Sequence, residues 1–132
     1  MQSQTTRLAL ITGANKGIGF EIARQLGKAD HRIMLGARDA SLGEAAASML
    51  KAEGIDVRFI YIDLSKPATI RTAAAMIEAD YGRLDVLVNN AGIADRADGP
   101  PSKTSIEAVR RVFDTNFFGT LAVNAGHAAA AA

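Results

Sequence analysis

Thr12-Gly13-Ala14-Asn15-Lys16-Gly17-Ile18-Gly19 is the stretch on which the fold of this chain turns. The short apolar run Leu8-Ala9-Leu10-Ile11 leads into it, and Phe20, Ile22, Ala23 and Leu26 follow at helical spacing. A strand therefore enters the glycine segment and a helix leaves it. In that setting the glycines have distinct uses. Gly13 makes the sharp exit from the strand, Gly17 lets an anion come close to the backbone, and Gly19 lets the helix settle on the sheet. The first turn of a helix has N–H groups without intrahelical partners and a partial positive charge, which together favour phosphate. A plain strand-to-helix turn is the alternative, since one or two glycines there are ordinary. Three at this spacing favour a diphosphate. Lys16 precedes Gly17 and no Gly-Lys-Ser/Thr follows, so the segment is not a P-loop.

Outward from this turn, apolar runs alternate with amphipathic segments. The second strand falls within His31–Gly36 and the third within Val57–Ile62. Between them lies a helix that ends at Gly54, with a Ser41/Glu44 capping-box pattern and an Ala45, Ala46, Met49, Leu50 stripe. Asp39 is a second candidate for its cap. The first helix is expected to stop at Gly27. Pro67 opens a third helix lined by Ile70, Ala73, Ala74 and Ile77 and closed by Gly82. A fourth strand covers Leu84–Asn89, and its continuous Val86-Leu87-Val88 core asks for cover on both faces. A last helix should begin near Thr104, with Ile106, Val109, Phe113 and Phe117 as its stripe.

This order predicts an α/β fold: a doubly wound parallel sheet with right-handed crossovers and strand order 3-2-1-4, the N-terminal portion of a Rossmann arrangement. Nothing in the pattern after Asn89 offers a partner for strand four. That would leave an apolar parallel edge uncovered. Residues 1–132 therefore read as a single, apparently truncated dinucleotide-binding domain.

Composition narrows the chemistry. In 132 residues, Lys plus Arg number 15 against 14 Asp plus Glu, a balance that gives no electrostatic footprint for nucleic acid or anionic lipid. No cysteine is present, which removes disulfides, thiolate metal sites and a cysteine nucleophile together. His31 and His127 are isolated and the carboxylates do not cluster, so no metal is expected. No apolar run is long enough to span a membrane, and a cytoplasmic location is the default expectation. The closing run Ala128–Ala132 favours helix but offers little area for packing.

Four motifs in order carry a family resemblance. The Thr-Gly-x-x-x-Gly-x-Gly segment, Ala37-Arg38-Asp39 after strand two, Asn89-Asn90-Ala91-Gly92 after strand four and Thr115-Asn116-Phe117-Phe118-Gly119-Thr120 resemble the classical short-chain dehydrogenases/reductases. The local wording is most similar to their carbonyl-reductase-like branch, over nearly the whole chain to about Val123. The resemblance implies that Gly13, Asn15, Lys16, Gly17, Ile18 and Gly19 cradle the cofactor phosphates. It implies that Asp63, followed by Leu64, contacts the adenine amino group, and that Asn90, Ala91 and Gly92 line the cofactor near its ribose. Asn116 would be the catalytic asparagine of a proton relay. Taken alone, Asp63 also reads as a turn or capping aspartate, and Asn116 as a surface residue of a helix.

Cofactor choice is set at the end of strand two. NAD users place an acid there for the ribose hydroxyls, whereas this chain has Ala37 followed by Arg38, whose planar fork suits a 2′-phosphate. Lys16 could add a second charge. Arg38 as a solvated loop charge is the alternative. NADP(H) is thus expected over NAD(H), with a small carbonyl or alcohol as the other partner. The family's Tyr-x-x-x-Lys pair does not occur in these residues: Tyr61 is followed at that spacing by Ser65, and Tyr81 by Asp85. Both tyrosines read as structural. Two readings of function follow, the cofactor-binding portion of an oxidoreductase or an inactive nucleotide-binding module. An interaction protein that uses the last helix, the surface through which a homo-oligomer would pair, is the third and weaker one.

Overall fold

A strand can run parallel to its neighbour only if the chain crosses back over the sheet, and three helices make those crossings here. The structure, a computed structural model, describes residues 6–90 and, as backbone, residues 121–124. The elements are β1 (Leu8–Ile11), α1 (Gly17–Lys28), β2 (Arg32–Ala37), α2 (Ala40–Ala52), β3 (Val57–Tyr61), α3 (Pro67–Tyr81), β4 (Val86–Asn89) and β5 (Leu121–Asn124). The expected last helix lies outside the described residues.

The sheet runs β3-β2-β1-β4-β5 with every pairing parallel. Its first four strands have the order read from the sequence. The fifth corrects that reading, because β4 is not left without a partner. Val86 stands opposite Leu121 and Asn89 opposite Asn124. A continuous apolar strand carries N–H and C=O groups on both edges, and β1 and β5 satisfy the two sides of β4.

Strict alternation divides the core into two layers. Leu8 and Leu10 of β1 join Met34, Ile60 and Leu87 beneath Ile70, Ala74 and Ile77 of α3. Ala9 and Ile11 face the other way, with Ile33, Leu35 and Val88, toward Ala23 of α1 and Ala46, Ala47 and Leu50 of α2. Leu10, Ile11, Leu35 and Leu87 are fully buried, each contributing about 1.5–3 kcal/mol by transfer from water.

The helix ends differ from the simplest sequence reading in two places. Asp39, not Ser41, caps α2, its Oδ1 accepting from the Leu42 N–H at 2.9 Å. The buried face of α2 is Gly43, Ala46, Ala47 and Leu50, while Met49 is exposed. Gly43 takes the place of a larger apolar residue because a Cβ there would strike the Phe59 ring. Likewise α1 runs through Gly27 to Lys28, since Gly27 lies against the Ile55 side chain and is needed inside the helix. The left-handed residue that follows is Asp30, at φ 70°. Gly82 closes α3 in the left-handed conformation, as its position suggests. Among the described residues no helix is long and apolar enough to cross a membrane.

Candidate functional site

All five strands are parallel, so their C-terminal ends share one edge of the sheet. The glycine turn after β1, Arg38 after β2, Asp63 after β3 and Asn90 after β4 all leave from that edge. Ligands of open α/β sheets bind beyond this edge, where the crossovers diverge. Here the divergence lies between β1 and β4, because β1 crosses to β2 on one side while β4 lies on the other.

Hydrogen bonds from both neighbouring strands fix the turn. Thr12 N–H donates to Val88 O at 3.0 Å, and Ala14 N–H donates to Gly36 O at 2.9 Å. Gly13, between them, has φ 62°. The Thr12 hydroxyl accepts from Asn90 N–H at 3.0 Å, and the Asn90 carboxamide donates through Nδ2 to Gly13 O at 3.1 Å. Asn90 is fully buried, and a Cβ on Gly19 would collide with that same Nδ2. Gly13, Gly19 and Asn90 thus form one packed unit that joins the start of α1 to the end of β4.

At the mouth of the turn the packing stops. Gly17 has φ 62°, and a Cβ there would meet nothing within 4 Å. The α1 N-cap is Lys16, which makes no side-chain capping bond, and the first turn contains no acidic residue. Among the described residues its leading N–H groups therefore have neither intrahelical partners nor a side-chain cap. Ile18 is 60% exposed beside them. Asn15 is half-buried. Open backbone, uncapped donors and an apolar ledge fit a diphosphate linked to a flat organic group.

The next strand ends supply charge. Arg38 is exposed directly after Ala37, which is buried and pairs with Tyr61 of β3. Asp63 lies in a tight turn, its Oδ1 accepting from Ser65 N–H at 3.0 Å and from the Ser65 hydroxyl at 2.7 Å. It does not cap α3, whose N-cap is Lys66. Leu64 packs against the α3-side core. Burial pushes the Asp63 carboxyl upward, but the two Ser65 bonds and the charges of Lys66 and Arg38 outweigh it, so the group sits below its ordinary value. Its contribution to stability is complete above the ordinary aspartate value and is lost as pH falls through the lowered one. Asp63→Asn should therefore flatten the acid side of a urea-midpoint-versus-pH curve below about pH 4. A parallel curve would contradict this.

Tyr61 and Tyr81 end β3 and α3, respectively, and the Arg32 guanidinium lies 5.5 Å from the Tyr81 ring centroid. Ala91, Gly92 and Asn116 lie outside the described residues. Sequence reasoning gave Thr12 and Gly36 no contacts around the turn. Thr12 stands inside the glycine motif, but its bond to Asn90 spans 78 residues and has no local signature.

Residues 7–130 match the short chain dehydrogenase family. The chain is 47% identical over 120 residues to the NADPH carbonyl reductase 3 of Rattus norvegicus, covering 89% of this chain and 42% of the relative. The NADPH carbonyl reductase 1 of Mus musculus is 45% identical over the same shares of the two chains. Among solved structures, an actinorhodin polyketide ketoreductase variant with NADPH superposes with a TM-score of 0.78 at 28% identity. That match covers 94% of this chain and 54% of the ketoreductase. The chain thus spans less than half the length of the curated relatives it matches.

Proposed function

Because the chain belongs to the short chain dehydrogenase family, we propose that it is the cofactor-binding part of an NADP(H)-dependent oxidoreductase acting on a small carbonyl or alcohol. Residues 1–132 then make one dinucleotide-binding domain. The observation that carries this reading is the open, uncapped start of α1, held rigidly by Asn90. The similar carbonyl reductases are named for NADPH, which supports the choice of cofactor.

When bound, the nicotinamide ring would give or accept the hydride. The chain's own residues hold the rest of the molecule. N–H groups at the start of α1 bind the diphosphate, and the absent side chain of Gly17 lets it approach. Ile18 covers apolar surface near it. Asp63, kept ionised by Ser65, Lys66 and Arg38, accepts from the adenine amino group. Asn90, Ala91 and Gly92 border the ribose, and Asn116 is assigned to the proton relay.

Arg38, with Lys16, would select the 2′-phosphate. A charge-assisted hydrogen bond is worth about 1.5–3 kcal/mol, or roughly ten- to a hundredfold in affinity. Titration of the 132-residue protein with NADPH and NADH, followed by nucleotide fluorescence, should show NADPH bound more tightly by that factor. Arg38→Ala should bring the two together. Equal affinities in the parent chain would remove the NADP assignment, and failure to bind either nucleotide would remove the dinucleotide reading itself.

A further inference from the structure

We propose that Thr69 is a positioning residue of the dinucleotide site, latching the loop of residues 63–66 so that the Asp63 carboxylate is presented at the C-terminal edge of the sheet. The inference rests on the assignment of that edge to a dinucleotide and adds a residue that no motif marks. Thr69 is the third residue of α3, whose N-cap Lys66 makes no side-chain capping bond. A side chain at this place commonly reaches back to the backbone just ahead of its helix. Here it reaches further. The Thr69 hydroxyl accepts from the Asp63 N–H at 2.9 Å, and its single proton serves Asp63 O at 3.0 Å or Lys66 O at 2.8 Å.

Two hydroxyls therefore divide the work of holding one aspartate. Ser65 fixes the carboxylate through Oδ1. Thr69 fixes the peptide from which that side chain hangs, and among the described residues it alone receives the Asp63 N–H. Asp63 O has a second donor in the Lys66 N–H at 2.8 Å, so the turn itself survives without the hydroxyl. Losing the latch frees the Asp63 N–H and the direction of its side chain while leaving β3 and α3 in place. The Asp63 site is half-exposed and next to the Arg38 charge, so a small swing of that peptide moves the carboxylate relative to the ligand.

The test compares Thr69→Val, which keeps the shape and removes the hydroxyl, with Thr69→Ser, which restores it. Each is titrated in the full chain with NADPH, with adenosine 2′,5′-bisphosphate as the adenine half, and with reduced nicotinamide mononucleotide as the other half. Thr69→Val should weaken NADPH and the bisphosphate about tenfold and leave the mononucleotide unchanged. Thr69→Ser should return both to near the parent values. Thr69→Ala, read by the same titrations, carries the test if the valine variant does not fold. Unchanged affinity for the bisphosphate, or equal loss for the two halves, would overturn the latch. A parent chain that binds none of the three would instead overturn the dinucleotide assignment beneath it.

Discussion

Gly19→Ala should lower stability by about 2–3 kcal/mol and abolish dinucleotide binding, although it adds one methyl group. The new Cβ would overlap the Asn90 carboxamide, lie 2.5 Å from Gly13 O and stand 3.1 Å from the Ala14 Cα. Two of those three neighbours are backbone, and the third is a fully buried side chain bonded to Gly13 O. None is the free end of a flexible group. Withdrawal of Asn90 would take a donor from Gly13 O and still leave the Gly13 contact, so relief also requires movement of α1 away from the turn. Urea unfolding should show a lower midpoint with an unchanged slope, and NADPH titration should show no saturable signal. A variant of parental stability would mean that the contact between α1 and the end of β4 is looser than described.

Gly17→Val should separate binding from folding. Unlike Gly19, this glycine has positive φ, but a Cβ there meets nothing within 4 Å. The cost to the fold is only conformational, about 2 kcal/mol for a β-branched residue in the left-handed region. The cost to the ligand is larger, because the open face of Gly17 is where a phosphate would approach the first N–H groups of α1. Loss of two charge-assisted bonds amounts to about 3 kcal/mol or more, at least a hundredfold in affinity. A cooperative urea transition with near-complete loss of NADPH affinity is the expected pair of results. Retained affinity would place the diphosphate elsewhere.

The contrast between these two glycines shows what a reader of the sequence could and could not see. Strand–turn–helix alternation made the sheet order and the glycine turn legible, because period and punctuation are local properties. The partners of that turn are not local. Thr12 and Asn90 meet across 78 residues, and no spacing rule links them. Asp39 and Ser41 were both plausible caps for α2, and only the backbone at Asp39, extended at φ −118° and ψ 114°, decides between them. The α2 face was misjudged because glycine carries no apolar signal, yet Gly43 is buried where the Phe59 ring needs room. Leu121–Asn124 is as long as Leu8–Ile11 and Val86–Asn89, and what it lacks is their punctuation: no amphipathic segment follows it, only an alanine-rich stretch. The role proposed for Asp63 rests on resemblance, and that proposed for Arg38 on its place after strand two and its charge. The Ser65 and Thr69 bonds that hold the Asp63 loop needed coordinates.

The clasp between Gly13 and Asn90 has a consequence for the order of events on the ribosome. Every residue of the glycine turn has emerged long before the segment that fastens it, so an early nascent chain holds the whole phosphate motif in an unsecured form. Only when β4 inserts beside β1 do the Thr12 hydroxyl and Gly13 carbonyl gain their distant partner. Nucleotide captured at that moment would select molecules whose central strands are already assembled, and mass action would then draw the remainder toward the same state. The ligand would thus act as a late inspector of the sheet, arriving after the scaffold and not as its nucleus.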